Sequence, residues 1–158
     1  MTLHSGQIYI ENDVSIRPPP PEVIRNASKA TDVADSVEKW LSRAVEHGDV
    51  YYFSIYWEKT LVGQIFLHDI DQQSGEALIG YHLFEPRYRG LGIGTKALGL
   101  LQKFVIECTD LARLIIITSS DNIASQRIAQ KCGFINIGTP REDPIHGVVF
   151  EWNIRNSQ

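Results

Sequence analysis

The segment Arg87-Tyr88-Arg89-Gly90-Leu91-Gly92-Ile93-Gly94-Thr95-Lys96 constrains this chain more than any other stretch of it. Glycine at every second position lets a backbone curl and approach a bound group closely. A β-rich run, Glu76 to Phe84, precedes the segment. A helical pattern, Thr95 to Thr109, follows it, with Leu98, Leu101, Phe104, Val105 and Cys108 on its inner side. Amides that open a helix, with the positive end of its dipole, attract phosphate oxygens. Arg87, Arg89 and Lys96 add positive charge to a chain whose 19 acidic and 15 basic residues leave a formal net charge of −4. The unit reads as a pyrophosphate cradle. The dinucleotide fingerprint G-x-G-x-x-G does not fit, because Thr95 stands at its last glycine and because that loop normally follows a domain's first strand. The G-x-x-x-x-G-K-S/T phosphate loop is absent. A glycine-rich turn that binds nothing is the alternative.

The surrounding pattern predicts a mixed sheet. Ile8 to Ile16 is an extended opening segment, and Pro18 to Pro21 form a short polyproline rod, either a solvated connector or a ligand for a proline-binding domain. Asp32 to Glu46 reads as an amphipathic helix, with Val33, Val37, Trp40, Leu41, Ala44 and Val45 at helical spacing, a Thr31 or Asp32 cap and a Gly48 stop. Tyr51 to Trp57, Leu61 to Leu67 and Glu76 to Phe84 predict three strands of an antiparallel meander, joined by polar turns at Glu58-Lys59-Thr60 and Asp71 to Gly75. Leu114 to Thr118 is a continuous apolar run that suits a strand buried on both faces. A helix over Ile123 to Cys132, stopped by Gly133, and strands near Phe134 to Gly138 and Val148 to Ile154 complete the order. Strand–helix–strand units among hairpins make this an α/β chain with a mixed sheet covered by helices.

Composition excludes several classes. The 158 residues suit a single domain over 1–158. At 43% hydrophobic and 22% charged, a chain of this length builds a core without disulfides or metal. The acidic balance argues against nucleic acid. No run approaches the roughly 20 apolar residues of a membrane span. The N-terminus lacks a basic region followed by an apolar run, so no signal peptide is expected. Cys108 and Cys132 form no metal-ligand pattern, so the chain is expected to be cytoplasmic, with free thiols and no metal.

Arg89-Gly90-Leu91-Gly92-Ile93-Gly94 resembles the R/Q-x-x-G-x-G/A signature of the GNAT N-acetyltransferases. A second block, Asn122-Ile123-Ala124-Ser125 through Lys131-Cys132-Gly133-Phe134, resembles that family's N-x-x-S-x-x-x-x-x-K-x-G-F motif. The likeness covers roughly residues 50 to 155 and is closest in flavour to the RimJ/RimL-like branch. It implies a mostly antiparallel central sheet with one splayed parallel strand pair, Glu76 to Phe84 beside Leu114 to Thr118, and helices on both faces. It also implies a bulge in the Glu76 to Phe84 strand. The amides of Arg89, Gly90, Leu91, Gly92, Ile93, Gly94 and Thr95 would hold the pyrophosphate of acetyl-CoA, the co-substrate. Leu83 and Phe84 would pair with the pantetheine arm, and Asn122 and Ser125 would reach the pantetheine and its sulfur end.

The implied reaction is direct acetyl transfer through a ternary complex to a primary amine, on a small molecule or a protein N-terminus. A protonated amine is not a nucleophile, so a base must take its proton. Many family members carry an acidic tyrosine seven residues after the motif asparagine. Here that position is Ala129, and Ser125 is nominated instead as the hydroxyl that meets the sulfur; a first-turn serine bonding its own backbone is the alternative. Glu76 is the favoured base and His82 the next; a solvated strand-end carboxylate and a packed polar ring are the competing readings. Tyr81 has side-chain parity opposite to His82 and shares its face only if a bulge intervenes. Trp40, Trp57 and Trp152 read as core anchors, with Trp57 or Tyr56 as alternative walls of the acceptor cleft, and His146 reads as a turn residue. Neither cysteine reads as a nucleophile. A homodimer through the C-terminal strands is expected. A catalytically silent CoA-binding or sensing module, or a transferase using another acyl-CoA, are the competing functions.

Overall fold

The computed structural model describes residues 8–18, 43 and 49–154. The helix expected over Asp32–Glu46, Trp40 within it, and the proline run beyond Pro18 lie outside the described residues, Arg43 apart. Eight strands form one sheet: β1 (Tyr9–Glu11), β2 (Val14–Arg17), β3 (Tyr51–Trp57), β4 (Thr60–Asp71), β5 (Glu76–Leu83), β6 (Arg113–Ser119), β7 (Ile135–Gly138) and β8 (Gly147–Asn153). Two α-helices are described, α1 (Ile93–Cys108) and α2 (Ile123–Lys131), with a short 3-10 turn at Pro86–Tyr88. The strand order is β1-β2-β3-β4-β5-β6-β8-β7, antiparallel throughout except for β5 and β6.

The opening segment is a hairpin rather than one strand. Asn12 adopts φ +53 between Glu11 and Val14, which lets two residues reverse the chain. The β3–β4–β5 meander forms where the β-rich runs and their polar turns predict it. The register shifts within it both fall on β4: Val62 is the extra residue opposite Ile55–Tyr56, and a second slip lies between His68 and Asp71, where Asp69 has φ +48. β5 itself runs in unbroken register from Leu78 to Leu83 against β4, so the bulge expected in β5 sits on its neighbour.

Alternation then assigns faces. Phe53, Ile55, Ile65, Leu67, Ala77 and Ile79 point toward α1, and Leu98, Leu101, Phe104 and Val105 come down onto them. Phe104 is the hub, met edge-on by Phe53 at 5.0 Å, Tyr51 at 5.6 Å and Tyr9 at 6.0 Å. Cys108 departs from its expected inner position. It ends the helix in an exposed place, with Sγ 3.2 Å from the Tyr9 hydroxyl. The other sheet face carries Tyr52 stacked on Phe66 at 5.9 Å, with Ser54 and Gln64 buried beside them. Gly133 stops α2 at φ +87, and the Phe134 amide returns to the Ala129 carbonyl at 3.0 Å. Both described helices lie on the same face. Gln102 of α1 donates to the Cys132 carbonyl at 2.9 Å, and a Cβ on Gly94 would fall 2.8 Å from Ile128 Cδ1, so bare backbone lets α2 approach the start of α1.

Candidate active site

The one parallel strand pair is short. β5 and β6 are in register only from Glu76↔Arg113 to Leu78↔Ile115. Beyond that point they diverge, and a cleft of about 470 Å³ opens between Ile79–Leu83 and Ile116–Thr118, floored by α2. β6 is therefore not buried on both faces along its whole length: Leu114 to Ile116 are buried, whereas Ile117 is 45% exposed. An ionic clasp closes the paired end. Arg113 bonds Glu76 through Nη2 and Glu151 through Nη1, the latter at 2.9 Å, and the Glu76 hydrogen bond holds the guanidinium pKa above its usual value.

The hydrogen-bond phase of β5 decides which backbone groups face the cleft. The Phe84 amide donates to the Val62 carbonyl at 2.8 Å, on the β4 side. Antiparallel pairs alternate, so Gly80 and His82 also turn their main chain toward β4, whereas Tyr81 and Leu83 turn theirs toward the splay. Phe84, expected to pair with a ligand, is therefore committed to the sheet, and its ring is buried. Leu83, expected to pair with the same ligand, lines the cleft, and Tyr81 joins it.

At the mouth, the glycine loop enters α1. Gly90 and Gly92 have φ +76 and +81, a left-handed backbone that side chains oppose, and a Cβ at either would meet nothing within 4 Å. Gly92 is the N-cap of α1, and the amides that follow have no intrahelical acceptors. Of the three cations expected here, only Arg89 lines the cleft, exposed and without an ion pair among the described residues. Arg87 is engaged by Glu85 at 3.2 Å and by the Tyr88 hydroxyl at 3.0 Å. Lys96 reaches Asp13 at 2.8 Å and ties α1 to the β1–β2 turn.

On the helix side of the cleft, Asn122 caps α2 by accepting from the Ser125 amide at 3.1 Å. Ser125 is nine-tenths buried, and its Oγ lies 2.7 Å from the Tyr81 hydroxyl, which is also 3.3 Å from the Ser125 carbonyl. Burial raises the Tyr81 pKa more than its bond to Ser125 lowers it. Ala129, one turn further, is fully buried and carries no hydroxyl. Tyr81 was legible only as a parity: it shares the face of Ile79 and Leu83, and thus of α2.

His82 lines the cleft from the opposite sheet face. Its Nδ1 is 2.8 Å from Gln64 Nε2, while Gln64 Oε1 accepts from the Tyr52 hydroxyl. The amide donates, so Nδ1 accepts, and the proton of the neutral ring resides on Nε2. Glu76 is not brought to this cleft. It lies five residues from Tyr81, about 17 Å along an extended strand, in the Arg113 clasp. Neither Tyr56, which underlies the Arg17 guanidinium at 4.8 Å, nor Trp57, which donates to Asp13 at 3.0 Å, lines the cleft. Trp152 is a core anchor, and His146 bonds Asp143 in an exposed turn. Among the described residues no acidic, histidine and cysteine cluster could hold a metal, and no helix is long and apolar enough to cross a membrane.

The same architecture occurs in solved structures. RimL, a ribosomal L7/L12 alpha-N-protein acetyltransferase, superposes with a TM-score of 0.78 at 20% identity, covering 94% of this chain and 98% of that one. The microcin C7 self-immunity acetyltransferase MccE, crystallised with acetyl-CoA and AMP, gives 0.73 at 18% identity over 96% and 98%. In sequence, the provisionally named ribosomal N-acetyltransferase YdaF of Bacillus subtilis (strain 168) is 31% identical over 88 residues, 56% of this chain and 48% of YdaF. That match spans about half of the relative's length. The acetyltransferase (GNAT) domain matches residues 13–135, a span that takes in the splayed strands, the glycine loop and the capped serine of α2. With most of its length matched by that domain, and with its fold, this chain belongs to the GNAT acetyltransferase family.

Proposed function

We propose that this chain transfers the acetyl group of acetyl-CoA directly to a primary amine held in the β5–β6 splay. The observation that carries the reading is the alignment of three features along one cleft. Helix-opening amides at Gly92–Thr95 suit a pyrophosphate. The main chain of Tyr81 and Leu83, turned to the splay, suits an extended amide-bearing arm that adds as a strand. The hydroxyl of Ser125 suits the sulfur end. Gly90 and Gly92 fit a bulky phosphate because nothing stands where their side chains would be. Arg89 supplies the neutralising charge, and Asn122 holds the turn that presents Ser125.

In the transfer the amine nitrogen bonds to the acetyl carbon, the carbon–sulfur bond breaks, and the amine's proton ends on the thiol. His82, on the opposite face and bearing its neutral-ring proton on Nε2, is placed to donate to an acceptor rather than to take its proton. The Glu76 carboxylate, held by Arg113 at the closed end, keeps the splay anchored. An acceptor that arrives as an ammonium loses one further proton before it attacks, and water at the open mouth is left to take that one. RimL is named for alpha-N acetylation of a ribosomal protein and YdaF as a ribosomal N-acetyltransferase, which supports a primary amine as the acceptor class.

Thermal unfolding with acetyl-CoA, beside a Gly92→Glu variant, tests the donor site. Ligand at about 100 times its dissociation constant adds roughly 2.7 kcal/mol. The wild type should gain several degrees and the variant none. Thiol release on a panel of primary amines then tests transfer. A shift without turnover on any amine would favour a CoA-sensing module, and no shift would sink the donor site.

A further inference from the structure

We propose that Tyr81 is a positioning residue for Ser125: its phenol orients the serine hydroxyl as a hydrogen-bond donor into the splayed cleft, where the sulfur leaves. The inference rests on the transfer reading above and assigns the reaction a residue that neither family motif contains. Tyr81 stands on the central strand and Ser125 in the first turn of α2, 44 positions apart, and the tertiary fold alone joins them. The strand parity that turns Tyr81 toward α2 also turns its backbone toward the cleft. One residue thus serves both the arm and the serine.

Two hydroxyl groups have two protons to place among four acceptors: the serine and phenol oxygens, the Ser125 carbonyl and the sulfur in the cleft. In one arrangement Tyr81 donates to Ser125 Oγ at 2.7 Å, and the serine proton is released toward the cleft. In the other, Tyr81 donates to the Ser125 carbonyl at 3.3 Å, and the serine spends its proton on the phenol oxygen. The second arrangement offers the cleft only lone pairs. A departing thiolate accepts and cannot donate, so it selects the first. The shorter contact favours the same state. Burial keeps the phenol protonated at working pH, so it always has a proton to offer Ser125. The Asn122 cap fixes the serine backbone, so the phenol sets the direction of Oγ–H without moving the helix. Both hydroxyls stay protonated throughout; the thiol takes the proton that the amine gives up. Ala129, fully buried, offers no competing hydroxyl from the same helix face.

The test is steady-state kinetics on the full chain with an amine that the wild type accepts, using Tyr81→Phe, Ser125→Ala and the double variant. Tyr81→Phe keeps the ring that packs and removes only the oxygen. Its kcat should fall about tenfold to a hundredfold, with KM for acetyl-CoA within about twofold of the wild type, because an interaction made only as the sulfur leaves affects kcat alone. The double variant should fall no further than Ser125→Ala, since the phenol acts only through the serine. Ser125→Thr, which keeps a hydroxyl, should retain more activity than Ser125→Ala and remain sensitive to Tyr81→Phe. A melting temperature within a few degrees of wild type, and an undiminished acetyl-CoA shift, show that Tyr81→Phe is folded. Wild-type kcat in a folded Tyr81→Phe overturns the inference. So does a double variant whose loss is the product of the two single losses. No turnover by the wild type on any amine overturns the transfer reading, and this inference with it.

Discussion

Phe66 lays its ring over the bare backbone of Gly80, so that a Cβ there would stand 2.5 Å from Cζ and 2.6 Å from Cε2. Both residues are central to the sheet, and Phe66 is buried against Tyr52. The ring has no short flexible end to swing aside. Gly80→Ala should therefore destabilise by about 1–3 kcal/mol, the range for overpacking a filled interior. At this length that is a fall of roughly 3–10 °C in melting temperature. Phe66→Leu placed on Gly80→Ala should recover part of the loss, although alone it destabilises. Independent, additive effects in the double variant would show that the two side chains do not compete for one space.

Glu76→Gln separates a catalytic carboxylate from a structural one. Glu76 is clasped by Arg113 at the closed end of the β5–β6 pair, and Arg113 also holds Glu151. The clasp is partly solvated, so removing one charge should destabilise by less than about 1 kcal/mol. We expect kcat within about threefold of wild type and a melting temperature lowered by no more than a few degrees. A fall in kcat of a hundredfold with unchanged stability would return the base role to Glu76.

Asp13 gives the fold an acid-sensitive tie. Hydrogen bonds from Lys96 and from the Trp57 indole hold its carboxyl below the ordinary value of 3.8. A depressed carboxylate stabilises the folded state at pH values above its unfolded pKa, and that contribution is lost as pH falls through the folded pKa. The difference in melting temperature between wild type and Asp13→Asn should be constant from pH 7 to about pH 5 and shrink toward zero below pH 3. A difference that grows in acid would rule out this tie.

The sheet and the glycine loop's left-handed turn were legible because each rests on local pattern. β-rich runs bounded by polar turns mark β3, β4 and β5, and glycine spacing marks the loop before α1. The β1–β2 hairpin was also within reach, since Asn12-Asp13, between Glu11 and Val14, pairs two residue types that favour tight turns. Cys108 follows the helical period yet ends its helix, in an exposed place beside the Tyr9 hydroxyl rather than inside the core. The splay is a different kind of feature. It exists because register between β5 and β6 stops after Leu78↔Ile115, and pairing between strands 37 positions apart leaves no mark on either strand alone. For the same reason Glu76 read as the favoured base, with a solvated strand-end carboxylate as the alternative, until Arg113 was placed across from it. Phe84 looked like a ligand-facing residue until its amide was seen to be spent on Val62. Tyr81 and Ser125 are each ordinary in their own elements and become a pair only across the fold.

The two thiols should differ sharply in reactivity. Cys108 is exposed at the end of α1. Cys132 is half-buried after α2, donates to the Thr95 carbonyl at 3.4 Å, and burial pushes its thiol up to about 11. Only the thiolate reacts with iodoacetamide, so at pH 8 roughly one Cys132 in a thousand is in the reactive form. Peptide mapping after brief alkylation of the folded chain should find Cys108 modified first, with Cys132 at least about tenfold slower. Raising the pH from 8 to 10 should accelerate Cys132 steeply, and unfolding the chain should make the two sites comparable. Equal rates in the folded chain at pH 8 would mean that the α2 terminus opens away from Thr95, and that the floor of the cleft is looser than its contacts imply.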